Sequence, residues 1–297
     1  MPNFINFKDA LFRIKNNDPT FSKFILIDFN ITDDEIKKLS EALKENTSLK
    51  FINLAKNNID DEKAYKIAEI FEHNSSLENI SFDQNPIKFK GIKRIVDRLS
   101  ANVSLTKLSF NDCEIGDEEL NEIAKAQHLQ ELHLMKNKFG PSALDAIIQH
   151  RFLKRLNLHG NQIGDEGVQT ISRALATNST LTKLSLSLCE ITDIGARSIA
   201  EALSTNLFLE KLSLSFNKIG DLGAEAIANR LAGKTSLKEL SITNNIIGAL
   251  GLKALSLITH VIINSSENFS RDLSAPTTHL ENPNPPFQLS NSFQNKL

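Results

Sequence analysis

The chain has 297 residues, 40% of them hydrophobic and 24% charged, with a formal net charge of −2. That balance is ordinary for a water-soluble protein. Both signs are mixed along the chain, which leaves no electrostatic footprint for nucleic acid or an anionic membrane.

Residues 1–20 (MPNFINFKDALFRIKNNDPT) contain no apolar run long enough for a secretory leader, so no signal peptide and a cytoplasmic location are expected. Phe7, Leu11, Phe12 and Ile14 predict a short helix that caps the open N-terminal end of the fold. A membrane-surface helix is the alternative, and the three basic residues of that stretch argue against it.

From residue 21 onward one unit recurs. It is clearest at residues 153–180, LKRLNLHGNQIGDEGVQTISRALATNST, after which the chain restarts on LTKLSLSLCEI. Leu153, Leu156, Leu158 and Ile163 are its apolar frame, with Asn161 at a fixed polar position. The frame begins again at Leu49, Leu77, Leu105, Leu129, Leu181, Leu209 and Leu237, with a degenerate first copy at Phe21. That makes nine repeats spaced by 28 residues, except two of 24 that start at Leu105 and Leu129.

Each repeat predicts a short strand, a loop and a helix, the last seen in Val168, Ile171, Ala174 and Leu175. Asp165 stands where an N-cap is expected, and Asp33, Asp61, Asp117, Asp193 and Asp221 share its register. One strand and one helix cannot bury their own apolar face, but stacked copies can. The predicted fold is an α/β solenoid, a curved horseshoe with parallel strands on the concave face and helices on the convex face. The two short repeats predict short or irregular helices near 120–126 and 143–148, and a shallow notch.

Asn46, Asn74, Asn102 and Asn178 each begin an Asn-x-Ser/Thr triplet. With Asn206 they recur at the helix-to-strand corner, so the repeat accounts for them without glycosylation. Cys113 and Cys189 fall at the Asn position, three repeats apart. Strand spacing puts them roughly 14 Å apart, beyond the ~7 Å Cα separation a disulfide tolerates. They are expected as buried thiols standing in for Asn.

Gly233-Lys234-Thr235 looks like the end of a phosphate loop. It lacks a glycine five residues earlier and occupies the corner position, so no nucleotide site is expected. The run Leu257-Ile-Thr-His-Val-Ile-Ile263 is too short to span a membrane and is expected to close the core. Residues 264–297, with Pro276, Pro283, Pro285 and Pro286 and with Phe269, Phe287 and Phe293, read as a tail or irregular cap. The expected organisation is a capping segment at 1–20, the solenoid at 21–263 and the tail at 264–297.

No HExxH, GxGxxG or CxxC motif is present, so catalytic, metal and cofactor residues are not expected. His133 and His159 lie in adjacent repeats without an evident third ligand. Period-2 alternation aims non-leucine strand residues at the concave face. The candidate partner-binding residues there are His133, Met135, Arg155, Asn157, His159, Lys183 and Lys211, beside a serine ladder through Ser185, Ser187, Ser213 and Ser215. At the rim, Leu188 and Phe216 replace the Lys56, Gln84, Asp112 or Lys136 of other repeats. An exposed apolar pair there suits an interface anchor.

The LxxLxLxx(N/C)xI core, the 28-residue spacing and the corner asparagines resemble the leucine-rich repeats of the ribonuclease-inhibitor type over residues 21–263. The resemblance implies a non-catalytic, monomeric module that binds a protein partner through its concave face. The chain has no Trp, only two Cys and little concave acidity, so a basic ribonuclease is not the implied partner. Its Asn-, Lys-, Ile- and Phe-rich composition resembles leucine-rich effectors that intracellular bacterial pathogens deliver into host cells, which implies a host protein as partner. Ran GTPase-activating proteins share the repeat type, making GTPase regulation the alternative. No residue here maps onto that activity, and the acidic tail of that family is missing. An endogenous scaffold is the third reading.

Overall fold

The computed structural model describes residues 6–233, 235–266 and 268. The expectations for Lys234 and for the tail aromatics Phe269, Phe287 and Phe293 lie outside the described residues.

The chain opens with α1 (Phe7–Lys15), capped by Asn6, whose side chain accepts from the Asp9 amide at 2.9 Å. Ala10 and Ile14 are buried against the first repeat, and the Phe7 ring stacks on Phe29 at 5.7 Å. Phe12, expected to join them, is 69% exposed. At helical spacing it falls on the outer side of a helix that buries only one stripe.

One parallel sheet then runs in chain order: β1 (Lys23–Ile25), β2 (Phe51–Asn53), β3 (Asn79–Ser81), β4 (Lys107–Ser109), β5 (Glu131–His133), β6 (Arg155–Asn157), β7 (Lys183–Ser185), β8 (Lys211–Ser213), β9 (Glu239–Ser241) and β10 (Ile262–Asn264). Nine of these are the nine expected repeats. The tenth is formed by the end of the 257–263 run, which pairs Ile262 with Glu239 and extends the sheet instead of only closing it. The central residue of β1 to β9 points inward: Phe24, Ile52, Ile80, Leu108, Leu132, Leu156, Leu184, Leu212 and Leu240 are 0–3% exposed. Repeats therefore hold together by stacking on their neighbours, as a solenoid must.

The helices lie on the other side. They are α2 (Asp33–Leu43), α3 (Asp61–Ala68), α4 (Ile70–His73), α5 (Phe89–Leu99), α6 (Asp117–Ile123), α7 (Leu144–Ile148), α8 (Gly164–Leu175), α9 (Asp193–Leu203), α10 (Asp221–Leu231) and α11 (Ala249–Ser256). The two 24-residue repeats carry the short pair, α6 and α7, and α7 is entered through a 3-10 turn at Pro141–Ala143. An open depression lined by Ser100, Lys125, Gln127, His128, Gln130 and Phe152 lies beside these shortened helices.

Buried amide ladders join the repeats. Asn85 Oδ1 accepts from the Asn57 and Ile59 amides of the preceding repeat at 2.8 and 3.0 Å, while its Nδ2 donates to Leu54 O and Phe82 O. Asn137, Asn217 and Asn245 make similar bridges. The cysteine substitutes keep only half of this. Cys189 Sγ lies 3.3 Å from Leu158 O as a donor, and burial pushes both thiols up to about 12, so they stay protonated. A thiol in that state offers the preceding repeat no strong acceptor. Before Cys189 the chain compensates: the Ile163 amide turns to Asn161 O at 2.9 Å, and Gly164 takes φ +60 to send its own amide to Cys189 O.

The aspartates expected as N-caps do something different. The caps are Thr32, Asp60 and Thr192, whose side chains accept from their own first turns, with Gly116 and Gly220 at other sites. The aspartates sit inside the first turn and reach across to the next helix. Asp193 Oδ1 accepts from the Gly220 and Gly223 amides at 2.7 and 2.9 Å. Asp61, Asp165 and Asp221 bridge to Gly91, Gly195 and Gly251 in the same way. Each thereby supplies a negative charge to the N-terminus of the following helix.

At the helix-to-strand corners, Asn46, Asn74, Asn102 and Asn206 are 1–7% exposed. Asn206 Nδ2 donates to Leu175 O at 2.7 Å, and its Oδ1 accepts from the Leu209 amide at 2.8 Å. His150 fills this corner after a short repeat. Its Nε2 lies 2.9 Å from Ala126 O, and its Nδ1 accepts from the Phe152 amide at 3.4 Å. Burial holds His150 below the ordinary histidine value. The folded protein therefore resists protonation there, and the stability this site provides is present above the unfolded value of about 6.5 and lost as pH falls. His128 and His159 are also held low by burial and act with the same sign. The melting temperature is expected to drop between pH 7 and pH 5, and His150→Asn to flatten that drop. Melting curves of both proteins at the two pH values check this, and equal drops would contradict it.

Candidate functional site: the concave face and its rim

The concave face is built from the outward side chains of the strands. In the middle, register brings Lys107, Glu131 and Arg155 side by side on β4, β5 and β6. Glu131 is the hub: Lys107 Nζ at 2.7 Å, His133 Nε2 at 2.8 Å and Arg155 at 2.8 Å all meet its carboxylate. Burial alone would raise the Glu131 carboxyl, but hydrogen bonds from His133 and Lys107 outweigh it and hold it at about 2. The cluster is an ordered polar platform whose cations remain part-exposed, Arg155 most of all.

Two candidates from the sequence, His133 and Arg155, therefore share an anchor that sequence reasoning left out. Asn157 accepts the His159 amide at 3.1 Å and lies half-buried with His159 and Met135. The Met135 amide is held by Asn111 Oδ1 at 2.7 Å. Beyond the hub, Lys183 makes no ion pair among the described residues, and Lys211 bonds Glu239.

The outer part of the serine ladder is not open. Ser187 and Ser215 are 6% and 5% exposed, and their hydroxyls pair with Ser213 and Ser241 at 2.7 and 2.8 Å. Ala55, Ser81, Ser109 and Thr243 on the same side of the sheet are buried as well. Near the strand ends the small side chains of adjacent repeats close over one another.

His133 is committed to Glu131, and no group of three or more His, Cys, Asp or Glu able to hold a metal occurs among the described residues. No helix among them is long and apolar enough to cross a membrane.

Leu188 and Phe216 are 49% and 46% exposed at the rim. Both have left-handed backbone, φ 54 and 58. Bulky side chains rarely accept that region, and Gly160 holds the same repeat position at φ 73. Two large apolar residues thus stand in water at strained positions where a smaller residue serves the fold equally well.

Comparison with known proteins keeps the same register. The family model described as "Leucine Rich repeat" matches residues 125–147, 149–172, 177–200, 205–228 and 233–256, each match spanning a strand and running into the helix that follows it. The chain belongs to the leucine-rich-repeat proteins. The model described as "TMOD/LMOD Leucine-rich domain" matches residues 3–126 of this leucine-rich-repeat chain. No curated protein matches it. Solved structures that do include "Leiomodin-1 Actin-Binding Site 2 (ABS2)", 32% identical over 44% of this chain and 79% of that one, with a TM-score of 0.41. A tropomodulin C-terminal domain from Caenorhabditis elegans is 15% identical over 44% of this chain and 83% of that one, with a TM-score of 0.40.

Proposed function

We propose that this leucine-rich-repeat protein is a non-catalytic recognition module that holds a protein partner on its concave face. The observation that carries this is the Glu131 platform. Three basic or imidazole side chains are pre-positioned on one carboxylate in the middle of the sheet, and Lys183 continues the same strand column. Side chains already fixed lose little entropy when a partner binds.

The leiomodin-1 segment is described as an actin-binding site, which makes actin the first partner to test. A host protein, met after delivery from a bacterial cell, is the further reading supported by the composition and the ribonuclease-inhibitor-like spacing. The experiment measures binding of purified actin, and of host-lysate proteins captured by the wild type, to the protein and to an Arg155→Glu/Lys183→Glu variant. The partner is expected to bind the wild type, and the variant to bind it at least about tenfold more weakly. Unchanged binding by a folded variant would remove the concave face from the account. Acceleration of phosphate release by a GTPase would instead favour the regulatory alternative.

A further inference from the structure

The loop face, where strands hand over to helices, changes character along the solenoid. At the repeat position that follows the register of Asp33, Asp61, Asp117 and Asp165, the earlier repeats hold Asp34, Glu62, Lys90, Glu118, Ser142 and Glu166. The last three hold Ile194, Leu222 and Leu250, which are 59%, 62% and 65% exposed. Two other positions on the same face change with them, giving the exposed Leu188 and Phe216 and, one repeat on, Ile246 at 56%. Six large apolar side chains thus line one face of three consecutive repeats. None of them is required by the repeat, since its other copies carry polar residues, or Gly160 or Pro86, there.

We infer that this face docks a second copy of the same chain about a two-fold axis. Two observations select that occupant. The first is size. Six half-exposed side chains offer on the order of 600 Å², at the top of what a monomer leaves open, and the surrounding loops bring this near the roughly 800 Å² per partner of a standard interface. The second is charge. Among the apolar residues stand an exposed anion and an exposed cation, Glu190 and Lys218, 3.6 Å apart, while the half-buried Asp193 and Asp221 carboxylates beside them are taken up by backbone amides. A patch with one charge of each sign is complementary to itself: under a two-fold rotation each Lys218 meets the other copy's Glu190. The inference goes beyond the recognition proposed above, because it uses the loop face and leaves the concave cluster free.

The test is the mass in solution of the full chain across a concentration series, by light scattering or sedimentation. The wild type is expected at twice its 33.1 kDa at roughly micromolar concentration. Leu222→Asp is expected to weaken the dimer by about tenfold or more. Lys218→Glu alone sets like charges against each other and should also weaken it, while Lys218→Glu with Glu190→Lys should restore it. All these positions are exposed, so circular dichroism should match the wild type, as should melting at dilutions where both proteins are monomeric. A wild type that stays monomeric at about 100 μM, well above the micromolar range of weak specific interfaces, overturns the inference. So does a dimer indifferent to Leu222→Asp and to the charge change. A monomer whose Leu222→Asp variant loses a bound partner would assign the face to that partner and overturn the second copy.

Discussion

Asn217→Ala is expected to cost about 3 kcal/mol of stability, since each buried group left unpaired costs about 1–3. Asn217 is 7% exposed and joins two repeats. Its Oδ1 accepts the Cys189 and Ile191 amides at 2.9 and 3.1 Å, and its Nδ2 donates to Leu186 O and Leu214 O at 2.9 Å each. Alanine returns none of these bonds. Asn217→Cys should lose roughly half as much, because a thiol replaces the donor and leaves the amides unmet. Urea unfolding of the three proteins measures this order. Equal stability of the alanine and cysteine variants would show that the donor half contributes nothing. A loss under about 1 kcal/mol for alanine would show that the backbone finds other partners.

The second large effect lies at the helix starts. A Cβ added to Gly223 would sit 2.6 Å from Asp193 Oδ1 and 2.8 Å from Ile219 Cγ2. Real side chains do not approach so closely, so Gly223→Ala must push Asp193 away from the two amides it holds. Overpacking and lost bonds together are expected to cost about 2–3 kcal/mol. Asp193→Ala alone should cost about 1–2 kcal/mol, as an N-terminal acceptor does. The double variant should then cost clearly less than the sum, because once the carboxylate is gone the alanine meets less. A double-mutant cycle in urea reads that coupling. Strict additivity would mean that Asp193 and Gly223 do not share the space the structure gives them.

These two sites also show what the sequence discloses and what it hides. The leucine frame was legible because each inward side chain repeats at one position, and the stacked strands bury all of them together. The short helices of the 24-residue repeats were legible as well, since four missing residues remove one helical turn. The aspartates were misplaced because a local cap and a cap for the next helix place Asp within a residue of each other. What distinguishes them is a glycine thirty residues later, Gly223 for Asp193 and Gly251 for Asp221. That pairing is visible only once the repeat register is used to compare neighbours.

Glu131 was missed for a related reason. Taken singly it is one polar strand residue, and its importance comes from Lys107 and Arg155, 24 residues away on each side. Ile194, Leu222 and Leu250 were overlooked because apolar residues at a helix start merge with the helical pattern. Burial, which the sequence does not print, separates them from the core. The buried hydroxyls of Ser187 and Ser215 erred in the opposite direction, since alternation gives the side a residue faces but not how closely its neighbours cover it.

The most direct test of recognition by the concave face is lysine acetylation footprinting of the protein with and without its bound partner. Lys107, Lys183 and Lys211 lie on the strands, while Lys37, Lys90 and Lys253 are on helices of the convex side. Concave binding predicts that the first three lose reactivity in the complex and the second three keep it. Protection of Lys37, Lys90 and Lys253, with the strand lysines reacting as in the free protein, would contradict it.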